Sequence, residues 1–333
     1  MRQTAQPLTC WVISDGRRGI ENQALGLAEG LARHITKPVH ISVHTISHKG
    51  LFAHLPARFQ QGLKSQPSDY GLPDAHPDWV IGCGRQAIAP LMALKNHWKT
   101  KIFTVYVQKP YVPADQFDYV VAPEHDGLTG SNVINMIGSP NRITPESLET
   151  ARQDFRAELA QYTTPRAALL IGGSSKTHTL SHKNHTRHLQ AAKDLIAAGY
   201  VLLISTSRRT PDWVEADYAD LARRHETIWL YSGDADGPNP YMAFLGTADT
   251  ILVTEDSTNM LVDACATGQS VFRLPMTWRP GTGRGGKFSK LYESLSKRCH
   301  VRLFDGNLTA EPYTPLNETA RVAEKLWTAY LNR

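Results

Sequence analysis

Residues 248–275, ADTILVTEDSTNMLVDACATGQSVFRLP, decide the fold. The run at 251–253 is short, aliphatic and β-branched, which is typical of a buried parallel strand. Asp256 or Ser257 can cap the following helix, and Gly268 ends it before a second strand. We therefore predict a strand–helix–strand unit with polar groups at the carboxyl end of its first strand. Parallel α/β sheets bind ligands at that edge, although an ordinary unit with a well-capped helix would use the same residues.

Short apolar runs alternate with polar turns and amphipathic segments along the rest of the chain. LTCWVIS at 8–14 is predicted as the first strand, and polar or glycine-bearing turns follow this and the later strands. These turns lie at 15–19, 82–86, 108–110, 123–126, 172–176, 205–209 and 254–259. Alternating strands and helices indicate parallel, doubly wound sheets, in which such turns gather at the carboxyl edge. We predict an α/β fold with two Rossmann-like halves.

The two halves are predicted to meet near residue 163. A charged helix is predicted over 145–162, and the polar segment Thr163-Thr164-Pro165 follows it. This pattern is typical of a domain boundary. The predicted N-terminal domain is therefore 1–162, and the predicted C-terminal domain is 163–314.

Composition restricts the class of protein. A chain of 333 residues with 41% hydrophobic and 20% charged residues is expected to form two folded domains. A net charge of +5 suits phosphorylated ligands or an anionic membrane surface, and it is too small to indicate nucleic-acid binding. The widely spaced cysteines are expected to be free thiols in a reducing compartment: Cys10, Cys83, Cys265 and Cys299.

Two further observations concern membranes. No signal peptide precedes the first strand, and no apolar run approaches the roughly 18 residues of a membrane span. Residues 50–63, GLFAHLPARFQQGL, combine large apolar side chains with few charges. They pack as a loop with short helices, or they form a lip that faces a membrane or an acceptor. We expect a cytoplasmic protein that is at most peripheral to the inner face of the membrane.

Several longer segments carry a resemblance to a known family. They are WVISDGRRGIENQALGLAEGL at 11–31, VVAPEHDG at 120–127, NVINMIGSPNRIT at 132–144, LLIGGSSK at 169–176, STSRRTP at 205–211, VTEDSTNMLVDACATGQ at 253–269 and GGKFSKLYESL at 285–295. In content and order these segments resemble the plant mitochondrial-fission (elongated mitochondria) family and its bacterial homologues. The likeness runs nearly from end to end.

A more distant resemblance concerns mechanism. The segments 16–19, 77–84, 172–174 and 260–271 are similar to motifs of GT-B glycosyltransferases, such as the N-acetylglucosaminyltransferase of peptidoglycan synthesis. The resemblance implies two Rossmann-like domains that face each other across a cleft. It also implies that the terminal helix at 315–333 crosses back to the N-terminal domain.

On this resemblance, the second domain holds the donor nucleotide. The nucleotide- and phosphate-binding candidates are Gly172, Gly173, Ser174, Ser175, Lys176, Ser207, Arg208, Arg209, Glu255, Asp256, Ser257, Asn259 and Asp263. Small donor-rich turns and arginine pairs can bind phosphate, although an arginine pair at a helix start can also simply be solvated. Asp263 falls where the relatives place a glutamate that accepts from the ribose hydroxyls, and its side chain is one methylene shorter.

The first domain is expected to hold the acceptor. Asp15 is the first candidate for a general base, with Glu21 and His125 as alternatives; Asp15 could instead only bond its own turn. The other acceptor-side candidates are Gly16, Arg17, Gly19, Asn22, Gly84 and Arg85.

No metal or cofactor is expected. His182, His185 and His188 are spaced by three, so they drift around a helix and do not stack as metal ligands at i and i+4 would. The hypothesis is an inverting, metal-independent glycosyltransferase that uses a nucleotide sugar and an envelope or glycolipid acceptor at the cytosolic membrane face. The alternatives are a non-catalytic GT-B-shaped scaffold and a nucleotide-sugar epimerase or hydrolase.

Overall fold

A computed structural model of the chain divides into two compact units. The first comprises Met1–Arg142 with Asn317–Arg333, and the second is Ile143–Leu316. The structure describes residues 6–46, 59, 66–162, 165–282 and 286–333. The predicted lip at 50–63 therefore lies outside the described residues, except for Phe59.

The first unit contains a parallel six-stranded sheet. Its elements are β1 (Leu8–Ser14), α1 (Arg18–His34), β2 (Val39–Thr45), β3 (Trp79–Cys83), α2 (Ile88–Trp98), β4 (Phe103–Val107), β5 (Tyr119–Pro123) and β6 (Val133–Met136). The strand order is β2-β1-β3-β4-β5-β6. Alternate residues of β1 enter two different cores: Cys10 and Val12 pack with α1, whereas Trp11 and Ile13 pack with α2. Both faces of the sheet are therefore covered, as in a doubly wound fold.

The second unit repeats this architecture. Its elements are α3 (Pro145–Asp154), α4 (Arg156–Leu159), β7 (Arg166–Ile171), β8 (His178–Thr179), α5 (His182–Ala197), β9 (Val201–Thr206), α6 (Asp212–Arg224), β10 (Ile228–Tyr231), α7 (Tyr241–Thr247), β11 (Thr250–Thr254), α8 (Thr258–Cys265), β12 (Ser270–Leu274), β13 (Thr277–Trp278), α9 (Lys287–Cys299) and β14 (Arg302–Leu303). The parallel sheet has the order β10-β9-β7-β11-β12-β14, and β8 and β13 form a separate antiparallel pair. The sequence did not predict this pair or β14.

The helix predicted over 145–162 differs from the structure. It breaks at Phe155 into α3 and α4, and α3 lies against α7 of the second unit. Arg152 Nη1 donates to the Gly246 carbonyl at 2.7 Å. Because of these contacts, the division between the units falls after Arg142, about one helix earlier than the sequence suggested.

The last helix, α10 (Glu318–Leu331), belongs to the first unit and packs against α1. Its residues Val322, Ala323 and Leu326 are fully buried in the core that α1 shares with the sheet. None of the helices in the described part of the chain is long and apolar enough to cross a membrane.

Candidate functional site

Three neighbouring strands of the second unit, β9, β7 and β11, end in loops that are bonded to one another. The Thr210 hydroxyl lies 3.0 Å from the carbonyl oxygen of Ile171 and 2.9 Å from that of Gly172, so it links the loop after β9 to the loop after β7. The Gly172 N–H donates to Thr254 Oγ1 at 2.7 Å, which links β7 to β11. We call these three segments, 171–176, 207–210 and 254–257, the loop hub.

Asp256 lies at the centre of the loop hub. Its Oδ2 accepts from the Gly173 N–H at 3.2 Å and from Arg209 Nη2 at 2.7 Å. The Asp256 side chain is 0% exposed, whereas that of Arg209 is 45% exposed. Oδ1 of Asp256 has no hydrogen-bond partner within the described residues. Burial raises the pKa of Asp256, while Arg209, Thr254 and the Gly173 N–H lower it.

The two glycines allow this close approach. A Cβ on Gly172 would lie 2.3 Å from Asp256 Oδ1, and a Cβ on Gly173 would lie 1.8 Å from the Arg209 carbonyl oxygen. The sequence predicted that the donor-rich turn containing these glycines binds phosphate. In the structure, the atoms that come close to them belong to the protein's own loops.

Several predicted hydroxyl groups also bond within the hub or to the residues that follow it. Ser175 Oγ accepts from the N–H groups of Thr177 and His178 at 3.2 and 3.1 Å. Ser207 Oγ accepts from the Arg209 N–H at 3.3 Å, and Ser174 Oγ accepts from the Leu180 N–H at 3.1 Å. These serines shape their turns.

The cationic side chains at this sheet edge are turned toward solvent. Lys176 and Arg208 are exposed, and nearly half of the Arg209 side chain is accessible although it is paired with Asp256. The loop hub therefore presents three positive side chains on a rigid backbone, and exposed arginine and lysine side chains are common ligands of phosphate.

Glu255 has a different environment from its neighbour Asp256. Its Oε1 accepts from Arg273 Nη1 at 2.6 Å and its Oε2 accepts from the Met276 N–H at 2.8 Å. The Tyr292 hydroxyl donates to the Glu255 carbonyl at 2.5 Å. Burial raises the pKa of Glu255, while the Met276 N–H and Arg273 lower it. Because both carboxylate oxygens are occupied inside the unit, we assign Glu255 a structural role in place of the ligand contact suggested by the sequence.

Helix α8 begins at the hub and carries the remaining candidates. Ser257 is its N-cap and accepts from the Met260 N–H at 3.4 Å, and Asn259 lies in the first turn. Asp263, one turn further on, accepts from the Tyr241 hydroxyl at 3.0 Å. Burial raises the pKa of Asp263 to about 7, although the bond from Tyr241 opposes this. Burial is the largest cause that raises the pKa of the Tyr241 hydroxyl well above its ordinary value, and the Asp263 carboxylate raises it further.

In the first unit, Asp15 follows β1 and is bonded to its own turn. Its Oδ2 accepts from Arg17 Nε at 2.9 Å and Nη2 at 2.5 Å, and its Oδ1 accepts from the Arg17 N–H at 3.2 Å. The Asp15 side chain is 3% exposed and that of Arg17 is 65% exposed. Gly84, at the end of β3, is close by, because a Cβ there would lie 3.6 Å from Asp15 Oδ2. Glu21 Oε2 accepts from the Ser14 hydroxyl at 2.8 Å.

The other acceptor-side candidates are spread along this edge of the sheet. Gly16 has a positive φ of 76°, and the Gly19 carbonyl accepts from Gln23 Nε2 at 3.1 Å. Asn22 is exposed on α1, Arg85 begins a short turn after β3, and His125 follows β5, two strands away from β3. The structure thus brings Asp15 and Gly84 together and leaves His125 at a different strand.

Four polar residues at the two sheet edges were not predicted from the sequence as site residues. They are Thr210, Tyr241, Gln23 and Gln108. Gln108 follows β4 with an unusual φ of 92°, and its Nε2 donates to the buried Gln23 Oε1 at 3.1 Å. Thr210 and Gln108 carried a local signal, because Thr210 precedes a proline at a helix start and Gln108 lies in the predicted turn at 108–110. The others are recognisable only from contacts between distant segments.

Three histidines of the second unit contact other protein groups. His185 Nε2 is 2.9 Å from Asp217 Oδ2, and His188 Nε2 is 2.8 Å from the Pro275 carbonyl. The His178 ring lies 4.1 Å from that of Trp278. Within the ranges that the structure describes, no three His, Cys, Asp or Glu side chains are grouped as metal ligands.

The architecture is shared with solved enzymes of nucleotide-sugar metabolism. The UDP-GlcNAc 2-epimerase of Methanocaldococcus jannaschii matches with a TM-score of 0.56 at 13% identity, over 96% of this chain and 100% of that chain. The ADP-heptose LPS heptosyltransferase II of E. coli matches with a TM-score of 0.50 at 11% identity, over 98% and 99% of the two chains. At these identities the likeness concerns the fold alone. The protein has a GT-B-like α/β fold with two parallel six-stranded sheets.

The sequence comparisons show the family. The chain is 25% identical to an uncharacterized protein of Rickettsia prowazekii (strain Madrid E) in an alignment of 358 positions, gaps included, that covers 95% of this chain and 97% of that protein. It is 25% identical to the mitochondrial fission protein ELM1 of Arabidopsis thaliana in an alignment of 276 positions, gaps included, that covers 74% of this chain and 62% of that protein. The family model of mitochondrial fission ELM1 matches residues 18–330. The chain therefore belongs to the mitochondrial fission ELM1 family.

Proposed function

We propose that this protein is a nucleotide-sugar-dependent glycosyltransferase whose second unit binds the diphosphate of the donor. The observation that carries the proposal is the loop hub, where Lys176, Arg208 and Arg209 lie on loops from the adjacent strands β7 and β9. Cationic side chains on a preorganised backbone can stabilise a diphosphate leaving group without a metal ion. We propose that the reaction is metal-independent and that the acceptor hydroxyl displaces the diphosphate in one step, which inverts the sugar; it uses no cofactor besides the donor substrate.

The remaining donor contacts are proposed from the same edge. The Ser174 oxygen accepts from a backbone N–H, so its own O–H can donate to a phosphate oxygen. The Asp263–Tyr241 pair at the end of α8 offers a carboxylate for ribose hydroxyls. Two solved structures with this fold contain uridine nucleotides, namely the M. jannaschii epimerase with UDP-GlcNAc and UDP and the S. aureus MnaA–UDP complex, at TM-scores of 0.55 and 0.51. Uridine nucleotides are therefore the first donors to test.

The acceptor hydroxyl is proposed to be deprotonated by Asp15 of the first unit, with Glu21 and His125 as alternatives. Asp15 follows β1 directly, and Gly84 lies beside its carboxylate. The Arg17 side chain that occupies this carboxylate is 65% exposed, unlike the interior partners of Glu255, so an acceptor can displace it. The acceptor is proposed to be an envelope component or glycolipid, presented to a cytoplasmic, peripherally bound protein at the membrane face. The net charge of +5 is compatible with such an anionic surface.

The first experiment measures nucleotide binding by calorimetry and thermal shift with UDP, GDP, CMP and ADP sugars. Arg208→Ala should weaken binding by about tenfold or more, because a charge-assisted phosphate contact is lost. Arg209→Ala alone is a poor test, since it leaves the buried Asp256 carboxylate without its cation. Arg209→Ala is therefore combined with Asp256→Asn. Asp15→Asn, in the other unit, is the control and should bind nucleotide as the wild type does.

The alternatives predict different results. A non-catalytic scaffold would give no saturable binding of any nucleotide sugar. An epimerase or hydrolase would convert the donor without an acceptor, which proton NMR of the sugar would detect. Wild-type nucleotide affinity in Arg208→Ala and in the Arg209/Asp256 double variant would contradict the proposed site.

A further inference from the structure

Asp256 places a negative charge beside the cations of the proposed donor site. Building on the function proposed above, we propose that Asp256 shifts the selectivity of the site toward a diphosphate esterified at both ends, as in a nucleotide sugar, and away from a diphosphate with a free terminal phosphate. Asp256 would then weaken the binding of the nucleoside diphosphate product relative to the donor.

The Arg209 side chain is paired with Asp256 and remains partly exposed. Nη2 of its guanidinium lies 2.7 Å from Asp256 Oδ2, while 45% of the side chain remains exposed. A phosphate that binds the exposed N–H groups shares this guanidinium with the Asp256 carboxylate. The two anions are then separated by little more than the width of one guanidinium, so each charge on the phosphate is repelled by Asp256.

The position of Asp256 keeps this repulsion in place. Its side chain is fully buried and its Oδ2 is also bonded to the Gly173 N–H at 3.2 Å. Gly172 is packed against Oδ1, since even a Cβ on that residue would lie 2.3 Å from this oxygen. The carboxylate cannot turn toward water when a phosphate arrives, and a buried charge is screened less than an exposed one.

The charges of site and ligand can then be compared. Lys176, Arg208 and Arg209 contribute three positive charges and Asp256 removes one, which leaves two. Glu255 adds nothing, because it is neutralised by Arg273 at 2.6 Å. A nucleotide sugar carries two monoanionic phosphates and matches the site. A nucleoside diphosphate has a terminal phosphate with a second pKa of about 6, so at neutral pH it carries close to three charges. Its additional charge is attracted by the cations but repelled by Asp256.

The test uses ligands that differ in charge and lack a sugar. Uridine 5′-diphosphate is compared with its β-methyl ester, which keeps both phosphates and blocks the terminal ionisation; the adenosine and guanosine pairs are measured in the same way. Calorimetry at pH 7.5 gives the ratio of the two dissociation constants for each protein. In the wild type we expect the two dissociation constants to lie within a few-fold of each other, because repulsion by Asp256 offsets the attraction of the cations for the additional charge.

Asp256→Asn is the informative variant. Asparagine keeps one oxygen to accept from Gly173 and Arg209, and its amide group takes the place of Oδ1, which has no partner among the described residues. We expect the ratio of the dissociation constants to shift by about tenfold in favour of the free diphosphate. The reason is that the variant removes the repulsion between the Asp256 carboxylate and a phosphate bound to the same Arg209 guanidinium. Asp212→Asn, which removes an exposed carboxylate from the start of α6, is the matched charge control and should leave the ratio unchanged.

Each outcome is informative. Equal ratios in the wild type and Asp256→Asn, with measurable binding of both ligands, overturn the charge selection and leave the nucleotide site intact. An equal shift in Asp212→Asn shows a general charge effect and also overturns it. Failure of every diphosphate to bind the folded wild type overturns the proposed function, and the selection with it.

Discussion

A methyl group on Gly173 would lie 1.8 Å from the Arg209 carbonyl oxygen, well inside van der Waals contact. Because that oxygen belongs to the backbone, the clash can be relieved only by moving a loop. We therefore predict that Gly173→Ala lowers the free energy of unfolding by about 1–3 kcal/mol, as overpacking of a tight interior does. Denaturant unfolding measures the change.

Gly199 gives the matched control. It has a positive φ of 85°, and among the described residues no atom lies within 4 Å of the position that a methyl group would take, so alanine there meets only backbone strain. Gly199→Ala should cost about 1 kcal/mol, as expected for alanine at positive φ. If Gly173→Ala proves no more costly than this control, the loop hub is not tightly packed.

For the loop hub, the sequence predicted the positions of single residues but not the contacts between them. Gly172, Gly173 and Arg209 were correctly placed at the carboxyl edge, because each follows a recognisable strand. Their mutual contacts through Asp256 could not be foreseen, since these contacts join segments that lie far apart in the chain. Glu255 and Asp256 are adjacent, yet they pair with different arginines, and no local pattern distinguishes them.

At the scale of elements, buried apolar runs predicted the strands well. β1 was predicted at 8–14 and β11 was recognised from three aliphatic residues, because parallel strands buried on both faces leave a continuous apolar signal. β13 and β14 have two residues each, too few for any periodicity. The break at Phe155 and the packing of α3 on α7 depend on tertiary contacts, which displaced the predicted domain boundary.

Two buried histidines, His188 of α5 and His178 of β8, make the stability of the second unit depend on pH. Burial lowers the pKa of His188 from 6.5 to about 4, although its bond to the Pro275 carbonyl opposes this. Burial and then Arg273 lower the pKa of His178 to about 4 as well. Between pH 6.5 and 4 the unfolded chain binds protons that the folded chain does not, so stability is complete above 6.5 and falls as the pH falls.

We predict that His188→Gln flattens this dependence. Glutamine can still donate to the Pro275 carbonyl, but it does not titrate. The free energy of unfolding, measured by urea at several values between about pH 7.5 and 4, should fall less steeply in the variant than in the wild type. His182→Gln, at an exposed position of the same helix, should keep the wild-type slope. Equal slopes in the wild type and His188→Gln would contradict the assignment.

At the scale of the whole molecule, the first unit is discontinuous in sequence. The chain leaves it after Arg142 and returns at Asn317, so a helix at the far end of the chain completes its core. Backbone N–H groups of Ile137 and Asn141 donate to the side chains of Glu318 and Thr319 at 2.8 and 3.0 Å. The first unit should therefore depend on α10 for its stability, whereas the second unit closes within 143–316.

Substitutions of two leucines of α10, one buried and one exposed, test whether packing of this helix stabilises the first unit. Leu326 is 0% exposed in the core shared with α1, and Leu331 is 63% exposed. Leu326→Ala should lower the stability of the first unit by about 2–5 kcal/mol, because a buried cavity replaces packed atoms. Leu331→Ala should change it by less than about 0.5 kcal/mol, as is usual for surface substitutions.

Hydrogen exchange followed by mass spectrometry locates the effect. In Leu326→Ala, the amides of β1, β3 and β4 should exchange faster, since the opening free energy of the unit that contains them has fallen. The amides of β7, β9 and β11 should keep their wild-type rates, because α10 belongs to the first unit and none of the described residues of the core cluster beside these strands comes from it. Leu331→Ala should match the wild type in both units. If the strands of the second unit lose protection as much as those of the first, the two units unfold together and α10 supports the whole molecule.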